Sequence, residues 1–134
     1  VDPSDVFRGD YITLQYEAEE VPIKLVEQTV ISRLQNKGEE FKVYVLMEKK
    51  NGIHTPIQVT LAKPNKGEFL NGTISYIDKD NQGQETAYIR YDLDNYYLED
   101  NKGTEWEKAS SKGKILAKLK VNNGYAILTD ITTK

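Results

Sequence analysis

Segments in which apolar and polar residues alternate with period two recur along most of this 134-residue chain. Such alternation places every second side chain on the same face of a β-strand, so that one face is buried and the other is solvated. The clearest turns between these segments are Asn51-Gly52 and Asn122-Asn123-Gly124, which favour hairpins because Asn and Gly tolerate positive φ. A chain with this pattern folds as a β-sheet and buries the apolar face by curling the sheet or folding it onto itself.

The alternation predicts seven strands, which lie within residues 11–16, 41–47, 57–61, 69–77, 86–91, 115–121 and 126–128. Joined by sequential hairpins, they predict a mainly β fold with an antiparallel sheet, in the form of a small barrel or a sandwich, and alternation alone does not separate these two forms. The apolar faces of the strands are expected to form one core that includes Ile12, Leu14, Val43, Val45, Val59, Ile89, Leu119 and Leu128.

One or two short helices are expected to accompany the sheet. Residues 21–35 fit either a helical stripe or a strand, with Pro22 near the start and Gly38 after the end favouring the helix. A second short helix is predicted for residues 104–110, where Thr104 and Glu107 have the spacing of a capping box. Residues 78–84 read as a turn, because the twelfth position of the calcium-loop pattern that begins there is Ile89, which offers no carboxylate.

Composition limits the chemistry available to this single domain of residues 1–134. The chain has no cysteine and one histidine, which excludes disulfides, thiolate chemistry and histidine-rich metal sites. The net charge is -3, which gives no support for nucleic-acid binding. His54 lies beside the Asn51-Gly52 turn and is interpreted as a solvated imidazole, and no nucleophile stands in a recognisable triad context. We therefore expect no cofactor and no metal.

The N-terminal segment resembles the signature of a known family. Gly9, Asp10, Tyr11, Leu14 and Tyr16 match every defining position of the GDYXXLXY family of bacterial proteins. The preceding Val-Asp-Pro, with Asp5, Phe7 and Arg8, is similar to that family's usual lead-in. A second block and the closing hairpin extend the resemblance over nearly the whole chain; that block consists of Arg90, Tyr91, Tyr96, Tyr97, Leu98, Glu99, Gly103 and Glu107.

The resemblance implies a location outside the cytoplasm, behind a single N-terminal membrane helix. We accordingly expect the intact protein to carry an apolar helix of ~18 or more residues before Val1. The resemblance implies no reaction, ligand or catalytic residue.

Candidate binding residues come from the charged and aromatic positions of the two blocks. Several carboxylates surround one arginine in the N-terminal loop, where Asp5 or Asp10 is expected to hold Arg8 and where Arg90 and Glu107 are candidates to join the network. Such a network serves either as a site or as a means of pinning the loop to the sheet. The complete candidate set is Asp5, Arg8, Asp10, Tyr11, Tyr16, Arg90, Tyr97 and Glu107.

Two classes of function follow. The first is a non-catalytic extracytoplasmic domain that binds a protein or a cell-envelope ligand, because no catalytic constellation is evident and the nine tyrosines suit interfaces and sugar-like ligands. The second is a carboxylate-dependent hydrolase acting on cell-envelope glycans, since paired Asp and Glu are all that such chemistry requires. In both cases the membrane is a partner only through the upstream anchor.

Overall fold

The computed structural model describes residues 10–94 and 115–133. In this part of the chain nine strands form one sheet, accompanied by one α-helix and two 3-10 helices. The strands are β1 (Asp10–Gln15), β2 (Glu20–Pro22), β3 (Phe41–Lys50), β4 (Ile53–Thr60), β5 (Glu68–Lys79), β6 (Glu85–Tyr91), β7 (Leu93–Asp94), β8 (Ile115–Asn122) and β9 (Tyr125–Thr133). The 3-10 helices are Tyr16–Glu19 and Ile23–Leu25, and α1 is Gln28–Lys37.

The sheet is mixed, with the strand order β2-β6-β5-β3-β4-β1-β8-β9-β7. The mainly β class is confirmed, but the expectation of a purely antiparallel sheet is wrong: β1 runs parallel to β4, and β7 runs parallel to β9. The first strand of the chain inserts between two hairpins, pairing antiparallel with β8 on its other side. Hairpin signals report only pairings between neighbours in sequence, so they do not reveal this insertion.

A connection of one residue between two strands brings the two ends of the sheet close together. Only Asp92 separates β6 from β7, although β6 is second in the strand order and β7 is last. Consecutive Cα atoms lie ~3.8 Å apart, so the sheet has to curl until these strands meet. Among the described strands no ladder joins the edge strands β2 and β7, and the sheet is not closed.

One hydrophobic core fills the inside of the curled sheet. All eight residues that the sequence predicts for it are buried there, so the prediction is confirmed: Ile12, Leu14, Val43, Val45, Val59, Ile89, Leu119 and Leu128. Val30 of α1 joins the same core. Strands from both halves of the sheet therefore share one apolar interior.

The ambiguous stretch at residues 21–35 contains both kinds of structure. Its first residues complete β2, a 3-10 turn follows, and α1 begins at Gln28. The helix ends where expected, because Gly38 adopts φ 65° and donates its N–H to the Leu34 carbonyl. The short helix predicted for residues 104–110 lies outside the described residues. No helix in the described ranges is long and apolar enough to cross a membrane.

Bulges interrupt three of the antiparallel ladders: β3–β4, β5–β6 and β8–β9. In β4 the extra residue is Ile57, because Gln58 pairs with Leu46 while Pro56 pairs with Met47. The sequence pattern places Ile57 on the buried face with Val59, but Ile57 is 41% exposed. A bulge reverses the alternation, bends the strand and increases its twist, which suits a curled sheet.

Candidate functional site

A bulge in β5 turns a tyrosine to the outside of the sheet. Ile74 pairs with Ile89 on the buried face, and Ile77 pairs with Ala87 on that same face, although three positions separate the two isoleucines. The extra residue is Ser75, so Tyr76 pairs with Tyr88 on the outer face. In a regular ladder counted from Ile74, Tyr76 would point into the core. Bulges of this kind re-aim side chains and are frequent beside functional sites.

Three side chains form a row across the outer face. Glu20 of β2 pairs with Tyr88 of β6, which pairs in turn with Tyr76 of β5. The two tyrosine rings stack with centroids 4.7 Å apart and an interplanar angle of 20°. Tyr76 is 53% exposed, so most of its ring surface faces solvent. The row thus presents an aromatic pair with a carboxylate at one end.

The 3-10 helix Tyr16–Glu19 positions a second carboxylate beside this row. Buried Tyr91 of β6 donates its hydroxyl to the Ala18 carbonyl at 2.6 Å. Glu20 closes the helix by donating its backbone N–H to the Glu17 carbonyl. These two bonds hold Glu19 against β6, on the outside of the core.

The environment of Glu19 favours its protonated form. Burial raises the pKa of the Glu19 carboxyl from 4.5 to about 7, with Glu20 adding to the shift and Arg90 opposing it. Burial also raises the pKa of Tyr91, and the neighbouring Glu19 charge raises it further. The site therefore holds one carboxyl group that changes its charge near neutral pH.

Arg90 supplies a positive charge at the opposite end of the site from the tyrosine row. It stands two residues after Tyr88 on the outer face of β6, and its Nη2 lies 3.7 Å from Oε1 of Glu40. Both side chains are exposed, so this ion pair contributes little to stability. The Arg90 guanidinium thus forms an ion pair with Glu40 and also opposes the rise in the pKa of Glu19.

These residues surround an open cleft of about 360 Å³. We call it the tyrosine cleft; it is lined by Glu19, Glu20, Ser75, Tyr76, Tyr88, Ile89 and Arg90. A second depression of about 470 Å³ adjoins it and shares Ser75 and Tyr76. We call this the apolar groove, because its lining includes Ile23, Ile31, Leu34 and Ile77. The β5 bulge lies at the junction of the two.

The potential at the tyrosine pair is negative. Burial raises the pKa of the Tyr88 hydroxyl, and the charges of Glu20, Asp80 and Asp78 raise it further, together with Tyr76. Asp80 is held in place because its Oδ1 accepts bonds from the backbone N–H groups of Gln82 and Gln84. The turn predicted for residues 78–84 occupies residues 80–84, whereas Asp78 and Lys79 are the last residues of β5. Asp78 and Asp80 bring carboxylates to one end of the cleft.

Among the predicted binding residues whose side chains the structure describes, Arg90 lines this cleft and Tyr11 does not. Tyr11 lies on β1, which is separated from β6 in the strand order by β5, β3 and β4. Asp10 begins β1 and Tyr16 begins the first 3-10 helix. The remaining predicted residues lie outside the described ranges: Asp5, Arg8, Tyr97 and Glu107. The predicted network centred on Arg8 therefore lies outside them as well.

His54 is buried, so its interpretation as a solvated imidazole is wrong. The side chain is 2% exposed, Nδ1 accepts the Thr13 backbone N–H at 3.3 Å, and Nε2 lies 3.2 Å from Oε2 of Glu68. The physical reason is its place in β4, where it faces inward and adjoins Leu14 of β1 through the parallel bridge. Within residues 10–94 and 115–133 no group of three or more metal-ligating side chains is assembled.

Sequence reasoning missed Glu19, Glu20, Tyr76 and Tyr88. A partial signal for the two tyrosines was available, since Tyr76 and Tyr88 belong to the two strands flanking the predicted 78–84 turn. Counting outward from that turn pairs Tyr76 with Tyr88, because the ladder is regular from Lys79 and Glu85 and the bulge lies beyond Tyr76. Nothing in the local sequence around Glu19 indicates that β6 buries it.

Comparison with protein-family models gives a match over residues 1–131 to the family described as GDYXXLXY protein. No curated protein and no solved structure matches the chain.

Proposed function

This chain belongs to the GDYXXLXY family, and we propose that it serves as a non-catalytic binding domain whose ligand occupies the tyrosine cleft. The observation that carries the proposal is the β5 bulge, which turns Tyr76 away from the core to stack on Tyr88 above an open cleft. A large aromatic side chain adds nothing to the core from that position. Exposed aromatic side chains supply contact area at low entropic cost and are enriched at binding surfaces.

The chemistry of the cleft supports binding over catalysis. Its polar groups are carboxylates, phenols, the Ser75 hydroxyl and one guanidinium, which recognise charge and form hydrogen bonds. Among the described residues no hydrogen bond joins the Ser75 hydroxyl to a base, as an activated nucleophile would require. The cleft is open to solvent and continues into the apolar groove, with which it shares Ser75 and Tyr76.

A titration panel tests this proposal. Isotope-labelled protein is titrated with muropeptides, neutral oligosaccharides, basic peptides and acidic peptides while backbone amide shifts are recorded. We expect at least one class to shift amides of β2, β5 and β6, and we expect Tyr76→Ser to weaken that binding. The matched control is Tyr125→Ser, which removes a ring of similar exposure, 48%, from the β8–β9 hairpin. Shifts confined to other strands, or unaffected by Tyr76→Ser, would mean that the cleft is not the binding site.

A hydrolase acting on cell-envelope glycans is the second candidate, favoured by Glu19. Its raised pKa, about 7, is that of a general acid, and Glu20 provides a second carboxylate lining the same cleft. The test is glycan turnover by the parent and by Glu19→Gln. Release of reducing ends by the parent and its loss in the variant would replace the binding proposal, and no release from either would remove this candidate.

We also propose that the domain works outside the cytoplasm, attached to a membrane by an upstream helix, as the family resemblance implies. Reading the upstream codons tests this location, which requires a stretch of ~18 or more apolar residues before Val1. A polar upstream segment would overturn it.

For the finer form of the fold we propose a half-open barrel. It is supported by the connection through Asp92, because this single residue joins β6, near one end of the sheet, to β7 at the other end. Amide protection of β7 comparable to that of β6 is expected of a barrel wall, and rapid exchange throughout β7 would count against it.

A further inference from the structure

We propose that the tyrosine cleft and the apolar groove together bind a peptide segment of a partner protein that presents an arginine or lysine close to an apolar side chain. This inference rests on the proposed function and specifies the chemistry of the ligand. It is carried by a contrast between the tyrosine pair of this cleft and tyrosines elsewhere on the sheet.

Two tyrosines elsewhere on the sheet, Tyr11 and Tyr44, are covered by lysines of the chain itself. Lys118 and Lys120 lie over the Tyr11 ring, with Nζ at 5.1 and 5.8 Å from its centroid. Lys42 lies over Tyr44 at 5.2 Å. A cation at this distance is attracted by the negative face of the ring. These rings already have the cation that their chemistry favours.

The Tyr76–Tyr88 pair lacks such a cation. Among the described residues no lysine or arginine lies over either ring, and the charged side chains that act on the Tyr88 hydroxyl are the carboxylates of Glu20, Asp80 and Asp78. An incoming cation would be attracted by the exposed ring face and by these carboxylates at the same time. The two attractions act on one position, which makes the pair complementary to a basic side chain.

Arg90 does not fill that position. Its Nη2 instead lies 3.7 Å from Oε1 of Glu40. The basic residue of the cleft is thus engaged, and the negative potential at the tyrosine pair remains. An anionic ligand such as a nucleic acid would meet repulsion there.

The apolar groove selects a peptide over a simple cation. It begins at Ser75 and Tyr76, where the cleft ends, and continues between β5 and α1 past Ile31, Leu34 and Ile77. These aliphatic side chains are only partly buried, so covering them with an apolar side chain of a ligand is favourable. A segment carrying a cation and a neighbouring aliphatic group engages both surfaces, whereas a neutral glycan engages only the tyrosine ring.

The test compares capped decapeptides in amide-shift titrations of the whole chain. One alternates arginine and leucine, a second alternates glutamate and leucine, a third alternates arginine and serine, and chitotetraose serves as the neutral glycan. We expect the arginine–leucine peptide to bind most tightly and to shift amides of β2, β5, β6 and α1. We expect the arginine–serine peptide to bind more weakly because it leaves the apolar groove empty.

Variants separate the attraction of the ligand cation to the tyrosine ring from its attraction to the carboxylates. We expect Tyr76→Ser to weaken the arginine–leucine peptide roughly 3- to 30-fold, the range of a cation on an aromatic face. The charge variant Glu20→Gln with Asp78→Asn keeps both rings, and we expect it to weaken binding and flatten its dependence on salt. Tyr125→Ser should leave the affinity unchanged. Thermal melts of each variant confirm that it is folded.

Four results would overturn the inference. Equal or tighter binding of the glutamate–leucine peptide would refute the charge argument, as would unchanged affinity in the double charge variant. If chitotetraose shifts the cleft amides and the basic peptide does not, the ligand is a glycan and the binding function survives. If no member of this panel or of the wider panel shifts the cleft amides, the binding function fails together with the inference.

Discussion

The backbone N–H of Thr13 in the family signature donates to Nδ1 of His54, across 3.3 Å between two strands that run parallel. Because Nδ1 is an acceptor, the proton of the neutral ring is on Nε2, which points to Glu68 at 3.2 Å. The imidazole thus connects β1, β4 and the start of β5. It is a structural link between the signature strand and the rest of the sheet.

Replacing this imidazole by a ring without nitrogen should destabilise the protein. His54→Phe keeps the bulk of the buried side chain but leaves the Thr13 N–H without its acceptor, at a cost of ~1–3 kcal/mol. The measurement is urea unfolding with an unchanged m-value. As a control, Glu68→Gln keeps a polar partner for Nε2 and should cost less. A His54→Phe variant as stable as the parent would show that neither bond contributes.

The turn between β8 and β9 is expected to require glycine at position 124. Gly124 has φ +84°, its carbonyl accepts the Asn71 N–H at 2.9 Å, and an added Cβ would lie 2.5 Å from Cε2 of Phe69. Gly124→Ala should therefore cost clearly more than the ~1 kcal/mol expected of an alanine at positive φ. Gly83→Ala is the matched control, since Gly83 has φ +80° and no atom within 4 Å of an added Cβ. Equal losses of stability in the two variants would show that the close approach to β5 is unimportant.

Stability is expected to fall as pH rises towards neutrality because of Glu19. Its pKa is about 7 in the folded protein and 4.5 when unperturbed, so between these values the folded state holds a proton that the unfolded state has lost. Stability from this group is greatest below pH 4.5, declines up to about pH 7 and is constant above. Since the carboxyl is partly exposed, we expect an effect of about 1 kcal/mol after allowing for solvent screening.

The variant Glu19→Gln isolates this effect. It should be more stable than the parent at pH 8 and should lose the decline between acid and neutral pH. Glu17→Gln, on the exposed side of the same 3-10 helix, is the control. Denaturation curves at several pH values give the comparison. If the decline in stability with pH persists in Glu19→Gln, other groups cause it.

Removing one hydroxyl should loosen the turn that holds Glu19. Tyr91→Phe leaves the Ala18 carbonyl without the 2.6 Å bond it accepts in a buried position, at a cost of ~1–3 kcal/mol. Tyr11→Phe removes a hydroxyl from an exposed ring and should change stability by no more than ~0.5 kcal/mol. Calorimetric melts measure both, and an unchanged melting temperature in Tyr91→Phe would contradict the role given to this bond.

Alternation along the chain was sufficient to predict seven of the nine described strands and the core, because burial of one face imposes period two on residues such as Val43 and Val45. The short strands β2 and β7 were not predicted. It failed at bulges, where one extra residue reverses the faces: Ile57 was assigned inward and lies outward. The site depends on such a bulge and on pairing between β2 and β6, which are distant in sequence. Local alternation carries neither, which is why Tyr76 was not identified. Arg90 was a candidate because it belongs to the second block of the family resemblance.

Deleting the bulge residue provides a direct test of this geometry. Without Ser75 the order Ile74, Tyr76, Ile77 becomes a regular ladder against Ile89, Tyr88 and Ala87, with every side chain on its present face. We expect the deletion to fold with a loss of about 1 kcal/mol, since no core side chain is displaced.

The matched deletion removes Thr73 instead. To keep Tyr76 opposite Tyr88 and Gly72 opposite Tyr91, the chain then has to place Ile74 on the outer face and Ser75 in the core. Exposing a buried isoleucine and burying a hydroxyl without a partner should cost about 3 kcal/mol or more. Urea unfolding of both deletions measures the difference, and similar losses would mean that Ser75 is not the extra residue of β5. The Ser75 deletion should still stack Tyr76 on Tyr88, so its affinity for the arginine–leucine peptide then reports how far the shape of the junction between cleft and groove contributes to binding.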